Sequence, residues 1–80
     1  MARYTVLLYH DEEEGGYAVL IPVLGVATQG ESIEEALAMA KEAAELQIRG
    51  LIEDGEPVLM EETPPIVAAI EVAVPVEASV

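Results

Sequence analysis

From Ser32 to Gly55 apolar residues recur in steps of three and four: Ile33, Leu37, Ala40, Ala44, Ile48 and Leu51. That spacing lines them along one face of an α-helix. Ser32 followed by Glu35 reads as a capping box, with Glu34 and Glu35 at the positive end of the helix dipole. Gly55 and then Pro57 mark the stop. Met39, Ala43 and Leu46 form a second apolar line, read as the flank of the core stripe or a contact between copies. Before this helix the pattern changes to strands. Arg3–His10 is rich in β-branched and aromatic residues, with Tyr4, Val6 and Leu8 on one face and Thr5, Leu7 and Tyr9 on the other. Asp11–Gly16, DEEEGG, predicts a hairpin loop; Tyr17–Ile21 is its return strand, ended by Pro22. Val26–Gln29 is a short third strand. After a Pro-rich linker over 56–65, Ile66–Val74 alternates as a last strand.

The expected order is therefore β-β-β-α-β. Short connections make the first strands an antiparallel meander, and the helix serves as a right-handed crossover that sets the last strand parallel to the first. The expectation is an α+β domain over 1–75: a four-stranded sheet of order 3-2-1-4 with one long helix on one face, and a loose tail over 76–80. One helix covers only one face. Leu7, Tyr9, Ala18, Leu20, Val67, Ala69 and Ala73 are assigned to the other, an apolar surface that calls for a dimer, a tetramer or a covering partner.

Charge sharpens this picture. The chain of 80 residues carries 16 acids and 3 bases, a formal charge of -13, yet 52% of it is apolar. Acidic chains stay disordered when they are also poor in apolar residues, and this one is not. A negative surface repels phosphate backbones, so direct nucleic-acid binding is not expected. The charge either attracts a basic protein or simply keeps an apolar domain soluble, and composition leaves both open. There is no cysteine, hence no disulfide or thiolate chemistry. With neither a membrane-length apolar run nor a signal-peptide pattern, the expected location is cytoplasmic.

Candidate chemistry is sparse. His10-Asp11 has the composition of a general base and its carboxylate, but no nucleophile accompanies it, because Ser32 is already a cap. The acids at Asp11, Glu12, Glu13 and Glu14 lack calcium-loop spacing and read as a solvated turn or a protein-facing patch. No metal, no cofactor and no enzyme activity are expected. The candidate partner-binding residues are those four acids together with Tyr9 and Leu20 from the open face.

YTVLLYHDEEEGGYAVLIP, followed by TQGESIEEALAMAKEAAELQIRGLIEDGEPV, resembles the N-terminal domain of the HicB antitoxin family across about residues 3 to 74. The resemblance implies a partial ribonuclease-H-like fold and a partner, HicA, a small basic ribonuclease that cleaves mRNA. It brings no nuclease site, since the first strand has no acid in its body and the last has only Glu71. Pro22-Val23-Leu24-Gly25 is one residue shorter than the family's usual turn, which leaves the path there open. Nothing basic or helix-turn-helix-like follows Val74, so the operator binding of longer members is not carried over. The function expected is an antitoxin domain that binds and occludes a HicA-type toxin. The alternative is an orphan oligomeric domain with a scaffolding role.

Overall fold

Short polar turns between apolar strands give an antiparallel meander, and the capped amphipathic segment folds across it. The computed structural model describes residues 1–76. Residues 77–80, most of the expected tail, lie outside the described residues. The elements are β1 (Leu7–His10), β2 (Tyr17–Ile21), β3 (Val26–Gly30) and α1 (Ile33–Glu53), with the sheet in the order β1-β2-β3. Leu7 pairs with Leu20 and Tyr9 with Ala18 across β1 and β2; Val19 pairs with Thr28 across β2 and β3. Alternation then sends Val19 and Ile21 beneath the helix and leaves Tyr9 and Ala18 on the open face.

The helix ends are chemically specified. Ser32 Oγ accepts from the Glu35 amide at 3.1 Å, as the capping box predicts. The returning bond differs by one residue: the Glu35 carboxylate accepts from the amide of Glu31, not Ser32, at 3.2 Å. At the other end Gly55 takes φ +69°, its amide donates to Ile52 O, and the Glu56 amide donates to Leu51 O at 2.8 Å. This is the paired closure in which a left-handed residue lets two amides satisfy the last carbonyls. Replacing Ser32 by Ala should cost about 1 kcal/mol, read as a lower urea midpoint with an unchanged slope.

The buried core comprises Val19, Ile21, Leu24, Ala36, Ala40 and Ala44. Leu24 enters it from the β2–β3 turn, where the Gly25 amide closes on Ile21 O at 2.9 Å and Gln47 Nε2 donates to Leu24 O at 2.9 Å. The short turn thus inserts a core residue. On the helix Ala40 and Ala44 of the predicted stripe are buried and Ile48 packs against them, but the first turn contributes Ala36 in place of Ile33 and Leu37. Ile33 and Leu37 remain 50% and 42% exposed. The reason is distance. A Cβ on Gly30 would lie 2.4 Å from the Ala36 backbone nitrogen, so α1 crosses β3 almost backbone to backbone. Only alanines fit between surfaces that close, and the larger side chains are displaced to the flanks. Gly50, the other candidate for a close approach, meets nothing within 4 Å.

The expected fourth strand is absent. Among the described residues Ile66–Val74 forms no strand, and the sheet holds β1, β2 and β3 alone. Ile66 is 94% and Ile70 85% exposed. The linker explains the departure. Tyr4 Oη donates to Leu59 O at 2.7 Å. The Glu61 carboxylate accepts from both the amide and the hydroxyl of Thr5, at 2.8 and 2.5 Å. This clasp ties the linker to the chain entering β1, and Pro64-Pro65 then favours an extended exit without amide donors.

The clasp is pH-sensitive. The hydroxyl and then the amide of Thr5 hold the Glu61 carboxyl below its ordinary value of 4.5, against a smaller opposing effect of desolvation. A carboxylate whose folded pKa is depressed contributes stability above its unfolded pKa, and that contribution disappears as pH falls through the folded value. The Thr5 amide resonance should therefore hold steady above the ordinary carboxylate range and shift as pH falls below it. Glu61→Gln should abolish that titration.

Candidate partner-binding surface

The hairpin between β1 and β2 organises the acidic end of the molecule. Its turn is closed by the Asp11 amide donating to Gly16 O at 3.0 Å and the Gly15 amide donating to Asp11 O at 2.8 Å. Asp11 Oδ1 also accepts from the amides of Glu13 and Glu14, at 3.0 and 3.1 Å. Such a carboxylate folds the loop on itself. Asp11 is thus a turn-former, while the exposed Glu12, Glu13 and Glu14 project at the tip. Exposed carboxylates of this kind can attract a basic partner at low salt.

The turn lies against the start of the helix. A Cβ on Gly16, whose φ is +79°, would meet Gly30 O at 2.8 Å. The hairpin tip and the β3–α1 junction therefore share one end of the fold. A cleft there of about 570 Å³ is lined by residues that include Asp11, Glu14, Tyr17, Glu31, Glu35 and Met39. Sequence reasoning grouped the four turn acids but missed Glu31 and Glu35 beside them. Their approach rests on Gly16 meeting Gly30, a contact between separate segments that no local pattern announces.

Tyr9 is 58% exposed on the open face, and the half-buried Leu20 lies on the same face one cross-strand pair along. The six expected partner-binding residues consequently occupy a single hairpin: three acids at the tip, Asp11 bracing it, and two apolar side chains on the adjoining open face. His10 packs beside Tyr17 with ring centroids 5.0 Å apart. Its place is at the sheet margin, against an aromatic ring. Among the described residues no group of three His, Asp or Glu side chains is placed to hold a metal ion, and no helix is long and apolar enough to cross a membrane.

Residues 4–74 match the family described as the HicB-like antitoxin of bacterial toxin-antitoxin system. The chain belongs to the HicB-like antitoxin family. Among relatives of this HicB-like chain, a UPF0150 protein of Synechocystis sp. is 45% identical over 61 residues, covering 75% of this chain and 76% of its own. A UPF0150 protein of Helicobacter pylori is 39% identical over 64 residues, covering 79% of this chain and 88% of its own. No solved structure matches the chain. In this HicB-like chain the acidic hairpin lies beside a sheet face that no helix covers among the described residues.

Proposed function

We propose that this HicB-like chain neutralises a small basic toxin of the HicA type, an mRNA-cleaving ribonuclease, by covering it. The observation that carries this reading is the convergence of exposed hairpin acids with the acids of the helix start, in a chain of the antitoxin family with a formal charge of -13. A negative surface accelerates encounter with a basic partner and disfavours nucleic acid. Tyr9 and Leu20 then supply apolar contact area once the partner is seated. Asp11 holds the hairpin that presents Glu12, Glu13 and Glu14. The chain acts by binding, without a catalytic group or cofactor, and does not itself contact DNA or RNA. It works in the cytoplasm as a self-associated unit, and the exposure of the apolar segment 66–74 in the single chain supports the self-association.

The test is co-expression with the small basic protein encoded beside it, followed by affinity capture. A stoichiometric complex in which the partner no longer cleaves mRNA is expected. Absence of a complex at micromolar concentrations would reject the antitoxin reading. It would leave the scaffolding alternative, which the exposed 66–74 segment favours.

A further inference from the structure

We propose that Ile66–Val74 is a strand exchanged between two copies of this chain, each laying its segment along the free edge of the other's β1. This deepens the self-association part of the proposed function and does not depend on the toxin. The segment has the makings of a strand without a sheet. Its nine residues alternate Ile66, Ala68, Ile70, Val72 and Val74 with Val67, Ala69, Glu71 and Ala73. Ile66, Val67, Ile70, Val72 and Val74 are all 60% exposed or more. An exposed apolar run of this kind is unstable in water unless it finds an edge. The molecule measures 50 × 27 × 20 Å and its radius of gyration is 16.0 Å, against about 12 Å for a compact chain of this length. The body is small, and an extended arm of nine residues, about 30 Å long, accounts for the difference.

The matching edge is on the same chain. β1 is an outer strand of the sheet. Beside the chain entering it lies a mainly apolar groove of about 370 Å³, lined by Tyr4 and Val6, by Ile21 at the end of β2, and by Leu37, Ala44 and Ile48 of the helix. The helix packs on β2 and β3, and among the described residues no strand pairs with the outer edge of β1. Beyond β3 the situation is opposite, because α1 is pressed against that strand at Gly30. The Glu61–Thr5 clasp brings the linker out at the β1 side, and Pro64-Pro65 then carries the chain away from its own body. One copy therefore has a spare strand leaving beside a spare edge. A two-fold axis lets two copies satisfy both needs at once and closes the assembly. In this arrangement Ile66, Ala68, Ile70, Val72 and Val74 enter the partner's groove. Glu71 stays on the open face with Tyr9.

Light scattering of the whole chain should give twice its mass of 8.5 kDa at micromolar concentrations. Ile70→Asp should weaken the dimer at least about a hundredfold while leaving the helical circular dichroism in place. Because the chain has no cysteine, single introduced thiols report pairing directly. Chains carrying Tyr9→Cys, mixed with chains carrying Val67→Cys, Ala69→Cys or Glu71→Cys, should form a mixed disulfide in at least one pairing. Same-face residues on adjacent strands lie within disulfide range. Amides 67–73 of the unaltered protein should resist hydrogen exchange, a readout that stands even if a variant fails to fold. A monomer overturns the exchange, as do rapidly exchanging 67–73 amides. A dimer that survives Ile70→Asp, or one that yields no mixed disulfide, keeps self-association but removes the exchanged strand.

Discussion

Gly30→Ala should destabilise the fold by roughly 3 kcal/mol, a large share of what so small a domain can hold. The added methyl would lie 2.4 Å from the Ala36 nitrogen, 2.7 Å from its Cα and 2.8 Å from the Glu35 carbonyl carbon. All of these are backbone atoms in the first turn of α1, so no side chain can rotate out of the way. The helix must lift from β3, and lifting it opens the contact of Ala36 and Ala40 with Val19 and Ile21. Shortening Ala36 to Gly should give no rescue, because the clash is not with its methyl. Gly50→Ala provides the contrast. That site is in the helix interior with open space around it, and the change should stabilise the chain by up to about 1 kcal/mol. Urea denaturation of the two variants checks both signs. An unchanged midpoint for Gly30→Ala would show that the helix rides farther from the sheet.

Replacing Glu12, Glu13 and Glu14 together by Gln should slow association with the proposed basic toxin by about tenfold at low salt and flatten its salt dependence. It should leave stability unchanged, since these side chains are exposed at the turn and the bracing carboxylate is that of Asp11. Stopped-flow association at several ionic strengths measures the effect. Asp11→Ala separates the roles. It removes the acceptor for the Glu13 and Glu14 amides, so it should loosen the hairpin and lower the denaturation midpoint. Equal association rates for the triple variant and the unaltered chain would place the encounter surface elsewhere.

Much of the candidate surface is legible in the sequence, because it is local. DEEEGG specifies a turn whose glycines adopt positive φ at Gly15 and Gly16, and whose acids have nowhere to go but outward. The strand phases placed Tyr9, Ala18 and Leu20 on the open face, where the register puts them. The approach of Glu31 and Glu35 was not legible, because it depends on how the β3–α1 junction meets a hairpin formed earlier in the chain. The linker clasp was equally hidden. Thr5 and Glu61 are 56 residues apart, and neither stands out in its own segment.

By itself the amino-acid order determined the pieces: β2 from Tyr17 to Ile21, the helix with its Ser32 and Gly55 ends, the acidic turn and the anionic character of the whole. These follow from backbone preferences and short-range hydrogen bonds, which a few neighbouring residues settle among themselves. Tertiary structure decided which residues of the first helical turns are buried: it added Ala36 to the expected Ala40 and Ala44 and left Ile33 and Leu37 largely exposed. Periodicity gives the direction of a face, whereas the spacing between layers depends on the smallest residues on both surfaces. It also decided the fate of Ile66–Val74. Alternation marks a segment as fit for a sheet, but pairing is a contact between distant parts, and the free edge it needs is not encoded within the segment.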